Sequence, residues 1–148
     1  DSPDTTSKIT FKDNNSKFNT EGVQFIINPY DELALTKSLE IAEKNNGTVT
    51  VINVGLIDTE PSIRKALAIG AYDAIRINSE PKDALYVATQ IAAIASKNNY
   101  DLIFTGRESI DYNGGLVCGL LGEILNIPSL NVLAKLEVEG RIRDPLEV

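Results

Sequence analysis

The stretch "TGRESIDYNGGLVCGLLGEILNIP", residues 105–128, carries the residue types best placed to do chemistry in this chain. A strand-like run ends at Thr105-Gly106, and a polar loop with Arg107 and Asp111 follows. The pair Gly114-Gly115 then stands directly before a helix-like run holding one charge. Exposed N–H groups at a helix start carry partial positive charge, and glycines let an anion reach the backbone. The pattern can therefore hold a phosphate, with Arg107 adding a full charge. It can equally be a tight turn with Arg107 in solvent. The loop lacks the Lys that a Walker loop places after its second Gly, and it is not a dinucleotide fingerprint.

Other candidates are weaker. Asn28-Pro29 is the grammar of a helix start, an N-cap followed by Pro at the first helical position. An Asn there can also read a nucleotide base or ribose. Asp101 and Asp111 flank the same segment as a possible acid pair, or as solvated loop acids. Cys118, inside an apolar helix, reads as a buried structural thiol. Glu60-Pro61 reads as an acidic helix start.

Composition sets the bounds. The 148 residues suffice for one domain with a core, and the 43% apolar and 24% charged content is ordinary for a globular chain. The chain has no His, which excludes a His general base, a Ser-His-Asp triad and the usual zinc sites. Its single Cys cannot form an intrachain disulfide. A net charge of −7 argues against a nucleic-acid platform. Nothing approaches the roughly 20 consecutive apolar residues that cross a membrane, so no membrane insertion is expected. No secretory or transit signal is recognised, and the expected location is cytoplasmic. The chain lacks Met, including at position 1, and reads as a fragment, a processed form or part of something longer.

The elements that must position these residues alternate. Residues 1–22 read as an irregular hairpin or excursion around "DNNS". A short β-prone run, "VQFII", leads into a helix with Leu35, Leu39 and Ala42 at helical spacing, ended by Asn45, Asn46 and Gly47. "TVTVINVG" reads as a strand buried on both faces. "SIRKALAIG" reads as a short helix closed by Gly70, and "YDAIRIN" as the next strand. Pro81 opens a helix through about Asn98, "DLIFTG" is another strand, and a helix runs to about Leu125. "PSLNVLAKLEVEGRIRDPLEV" reads as a β segment turning near Glu139-Gly140. The β-α-β-α-β-α-β-α-β order predicts an α/β fold, a mostly parallel sheet with helices on both faces, as one domain over 1–148. Ligands of such sheets sit beyond the carboxyl ends of the strands. Here that rim is Asn53 to Thr59, Asn78 to Pro81 and Thr105 to Gly115, with the start of the Asn28-Pro29 helix beside it.

Three blocks, "GVQFIINPYDELAL", "EPSIRKALAIGAYDAIRI" and "DLIFTGRESIDYNGGLVCGLLGEILNIPSL", resemble in order and spacing the β subunit of electron-transfer flavoproteins. The resemblance covers nearly the whole chain. It implies an adenine nucleotide α-hydrolase-like, nucleotide-binding fold and a heterodimer with an α subunit. It also implies FAD held mainly by the α subunit and AMP held by the β subunit. Electrons would come from flavin dehydrogenases such as acyl-CoA dehydrogenase, and the chain would be a carrier component, not an enzyme. By position, Asn28 matches the family's Asn near the nucleotide, and Val54 and Gly55 its second strand end. Asp111, Tyr112, Asn113, Gly114 and Gly115 match its phosphate loop. Leu116, Val117, Cys118, Gly119, Leu120 and Leu121 match the helix start behind that loop. Thr5 falls where the family brings a side chain near the flavin.

The family's loop is richer in Asp, Thr and Gln than "IDYNGGLVCG". Backbone amides of Gly114, Gly115, Leu116 and Val117 are therefore the expected phosphate donors. The chain lacks the family's first, central strand and its C-terminal region, so it reads as incomplete at both ends. That C-terminal region carries the dehydrogenase-docking loop and the arm that wraps the α subunit. Two alternatives stay open: a bifurcating member with a second FAD in the β site, or an ATP-binding stress-protein-like module. The typical loops of ATP-cleaving ligases and of stress proteins are not found.

Overall fold

The computed structural model describes residues 1–138. It is a mixed α/β structure built around one parallel strand pair, β5 (Thr50–Val54) and β6 (Asp73–Ile77), in register from Thr50 opposite Asp73 to Val54 opposite Ile77. Parallel neighbours need a crossover. A single 3₁₀ turn, Ile57–Thr59, and helix α2 (Glu60–Ile69) supply it. Gly70 then turns the chain at φ 138°, a region closed to most side chains, and its amide donates to Ala66 O and Leu67 O.

Helix α1 (Pro29–Asn45) lies ahead of this unit and keeps its expected ends. Asn28 is the N-cap, and Asn46 closes the helix in the left-handed conformation at φ 53°. Leu35 of α1 is buried with Ala66 and Ala71, and Ile27, Leu39, Val49 and Val51 pack around them. A second core joins α3 (Ala84–Ala95) to α4 (Val117–Leu125). Ala88, Ala92 and Leu121 are buried there, against Ile91, Val117, Leu120 and Leu125. The two alanines let the helices approach closely, which accounts for the strongly apolar character of 116–125.

The N-terminal excursion is a hairpin of β2 (Phe11–Lys12) and β3 (Lys17–Phe18), turned by Asp13, Asn14 and Asn15 at positive φ. Phe11 and Phe18 meet edge to face at 6.4 Å. On either side of it, β1 (Ser2–Pro3) pairs antiparallel with β4 (Phe25–Ile26).

Several expectations need correction. Parallel pairing among the described residues is confined to β5 and β6, and the run before α1 pairs antiparallel with β1. The "DLIFTG" run forms no ladder. A strand exists only where a neighbour offers its backbone groups, and Leu102 and Ile103 remain 41% and 38% exposed. Helix α3 starts at Ala84, not Pro81, because Asp83 is the N-cap: its carboxylate accepts from the Tyr86 amide at 2.7 Å. Residues 128–138 contain no strand, and the expected turn at Glu139-Gly140 lies outside the described residues. No helix among the described residues is long and apolar enough to cross a membrane.

Candidate functional site

The rim segments gather at two places. One is the carboxyl end of β5. Val54, 8% exposed, ends the strand, and the Gly55 amide continues the ladder to Ile77 O at 3.1 Å. Arg76 of β6 bonds Gly55 O at 3.1 Å and Asn78 Oδ1 at 2.7 Å, which ties Asn53–Thr59 to Asn78–Pro81. A cavity of about 320 Å³ opens here, lined by Asn53, Gly55, Thr59 and Pro81 together with the acids Asp58 and Glu80. A Cβ on Gly55 would lie 2.7 Å from Asn53 Oδ1 and 2.9 Å from Thr59 Oγ1, so only Gly lets these two side chains close over the strand end. Asn53 Oδ1 is buried without a partner among the described residues.

The second place is the 105–117 segment, which the start of α1 holds. Asn28 is 2% exposed, yet its side chain does not cap its own helix. Its Nδ2 donates to Glu108 O at 2.8 Å and to Asp31 Oδ2 at 3.0 Å, and its Oδ1 accepts from Ile110 N at 3.1 Å. Asp31 Oδ1 accepts from Gly106 N at 2.7 Å. Arg107 lies over the Tyr30 ring at 5.3 Å and pairs with Glu108 at 2.7 Å, so its charge already has a partner. The loop then closes on itself. Asn113 N donates to Ser109 O at 2.8 Å, and Ser109 N to Gly114 O at 3.0 Å.

The glycine pair works differently from a simple turn. The left-handed residue is Asn113, at φ 55°, while neither Gly114 nor Gly115 has a positive φ. The Tyr112 ring lies over Gly114, and a Cβ on Gly115 would stand 3.2 Å from Arg107 O. Past the pair, Leu116 occupies the N-cap of α4 without a side-chain cap. Leu120 is the first of these residues to donate its amide, to Leu116 O, so the amides of Gly114 through Gly119 make no backbone bond among the described residues.

Thr5 and Asp111 line one cavity of about 360 Å³, with Asp4, Ser7, Phe18 and Ile110. Asp4 is held below the usual carboxylate range by the Thr6 hydroxyl and then by the Thr6 amide. The two cavities flank β1: Asp1 lines one, Pro3 lines the other, and Ser2 between them is fully buried.

The remaining expected residues divide by environment. Tyr112 and Leu116 are 72% and 68% exposed. Val117, Leu120 and Leu121 pack on α3, and Gly119 is half-buried, with Asn131 Nδ2 4.0 Å from where a Cβ would stand. Cys118, read as buried, is half-buried with Sγ 3.9 Å from Leu130 O. Asp31 and Arg76 escaped the sequence reading as site residues. Asp31 is an acid in the first turn of α1, and its spacing of three from Asn28 is the available signal. Arg76 was visible as a lone charge at the end of an apolar strand.

Residues 16–148 match the model of the electron transfer flavoprotein domain. The chain is 35% identical over 141 residues to an electron transfer flavoprotein subunit beta of Bacillus subtilis, covering 93% of this chain and 54% of the relative. It is 37% identical over 123 residues to the subunit beta of Thermoanaerobacterium thermosaccharolyticum, covering 81% and 47%. It is 40% identical over 98 residues to Protein FixA of Azotobacter vinelandii, covering 62% and 35%. The chain thus spans about half the length of the first two relatives.

Proposed function

The chain belongs to the electron transfer flavoprotein domain family, and from that premise we propose that it is the nucleotide-holding part of a β subunit that works with an α subunit to carry electrons. The observation that carries this reading is the 105–117 loop. It is pinned to α1 and leads into six consecutive amides, Gly114 to Gly119, that make no backbone bond among the described residues. Such a row of donors at a helix start suits a phosphate, and the amides of Gly114, Gly115, Leu116 and Val117 are assigned to the phosphate of AMP.

The cavity at Val54 and Gly55 has different chemistry. Asp58 and Glu80 oppose a second anion there, while the Asn53 and Thr59 side chains offer neutral polar atoms. That lining suits the adenosine part of the nucleotide. Leu120 and Leu121 anchor the helix behind the loop. FAD is assigned mainly to the α subunit and supplies the redox chemistry when bound. Flavin dehydrogenases such as acyl-CoA dehydrogenase are the electron donors in this reading, which gives this chain no catalytic step and a cytoplasmic location.

Nucleotide and flavin content of the full-length protein, purified as it occurs and then denatured, tests the proposal. One AMP and one FAD per heterodimer are expected. Two FAD without AMP would put a flavin in the β site instead, and the lack of both a flavoprotein partner and any nucleotide would refute the reading.

A further inference from the structure

Asn28, expected beside the nucleotide, has its side chain engaged within the protein. A side-chain amide offers two donors and two acceptor lone pairs. Both donors are in use, on Glu108 O and Asp31 Oδ2, and Oδ1 already accepts from Ile110 N. The residue is 2% exposed. A buried group so committed has no donor left for a ligand.

Its neighbour completes the arrangement. The Asp31 carboxylate receives Asn28 Nδ2 on one oxygen and Gly106 N on the other. Gly106 approaches so closely that a Cβ would stand 2.8 Å from Asp31 N. Arg107 rests on the Tyr30 ring. Residues 106, 107, 108 and 110 are thus each fixed by the first turn of α1 or its cap. Residues 109–114 are closed by their own two bonds, so fixing 106–110 also fixes where the following amides point.

We infer that Asn28 and Asp31 are positioning residues: together they clamp 106–110 to the start of α1 and preorganise the amides of 114–117. This rests on the nucleotide reading above for its ligand, but the clamp itself is a property of the ligand-free chain. A loop fixed before binding loses less freedom on binding, so affinity depends on the clamp although neither side chain needs to touch the ligand.

The test uses the full-length protein, freed of nucleotide, with Asn28→Ala, Asn28→Asp and Asp31→Asn. Asn28→Asp preserves shape but sets a carboxylate against Glu108 O and Asp31. Asp31 is exposed, so Asp31→Asn keeps the fold if the Asn28 variants do not. Amide exchange at Gly106 and Ile110 and titration with AMP and with ribose 5-phosphate are the measurements. Asn28→Ala and Asn28→Asp should speed exchange at both amides about tenfold or more. They should weaken AMP and ribose 5-phosphate by the same factor, about tenfold, because both rely on the phosphate donors. Asp31→Asn should do the same more weakly, with its largest effect at Gly106.

Unchanged exchange in every variant overturns the inference. So does a loss confined to AMP, which would make Asn28 a reader of the base. If the wild type binds neither ligand while exchange still accelerates, the nucleotide reading falls and the clamp stands.

Discussion

Residues 50–54 and 102–106 are both short apolar runs of strand-forming type, and they end in different states. The first pairs with 73–77 through five residues in parallel register, with α2 across the connection and Leu35 of α1 beneath it. The second forms no ladder, and its last residue is held by a side chain, Asp31, from another element. Both deliver a glycine to a candidate ligand rim. One does so on a sheet, whose order comes from many repeated backbone bonds. The other does so through a few specific contacts. A ladder loses little when one residue changes, whereas a clamp of three bonds can be undone by one substitution.

That contrast can be broken first through the shared core. Leu35→Ala removes a 7% exposed side chain packed on Ala66 and Ala71, and a loss of about 2–5 kcal/mol in urea unfolding is expected. Gly106→Ala should cost less, about 1–3 kcal/mol, because the new Cβ meets Asp31 N at 2.8 Å. Its damage should be local, with fast exchange at 106–110 and unchanged exchange in β5 and β6. Equal acceleration in both regions would erase the distinction.

Gly119→Ala sharpens the comparison from the other direction. This glycine lies inside α4, and the nearest heavy atom to a new Cβ is Asn131 Nδ2 at 4.0 Å. Replacing a glycine in the first turn of α4 by alanine should stabilise the protein by at most about 0.5–1 kcal/mol. If the Gly119 amide borders a bound phosphate, AMP retention should fall while the melting temperature rises. A rise in both would remove Gly119 from the site.

The smallest effect concerns the excursion beside Asp111. Thr6 holds the Asp4 carboxyl below its ordinary value of 3.8. A carboxylate whose folded pKa is depressed adds stability above its unfolded pKa and loses it as pH falls through the folded value. Thr6→Val should therefore shift the Asp4 titration, followed by NMR, upward toward 3.8 and flatten this acid-side loss. An unmoved titration would show that the Thr6 contact does not hold in solution.

The parts of the fold that were legible in sequence are those set by neighbours along the chain. Asn28-Pro29 and Asn46 gave the ends of α1, Gly70 ended α2, and the β-branched run at 50–54 gave β5. At α3, Pro81 suggests a helix start, but the Asp83 carboxylate makes the cap. The antiparallel pairing of Phe25 with Pro3 and the missing ladder at 102–106 depend on distant partners, which periodicity does not specify. The site shows the same division. The glycines and the helix start were visible, but the bonds from Asn28 cross 80 and 82 residues and leave no local signature.

Those long separations also bear on the order in which the chain acquires its structure. The Asn28–Glu108 bond closes a loop of 80 residues, within which β5, α2, β6 and α3 all lie. Closing a flexible loop of that length is entropically costly, and prior folding of the elements inside it shortens the effective loop. The ligand rim at 106–110 should therefore gain protection after β5 and β6 in pulse-labelled refolding. Until that closure, a folding chain would carry its strand pair and helices with the 106–110 segment not yet held to α1.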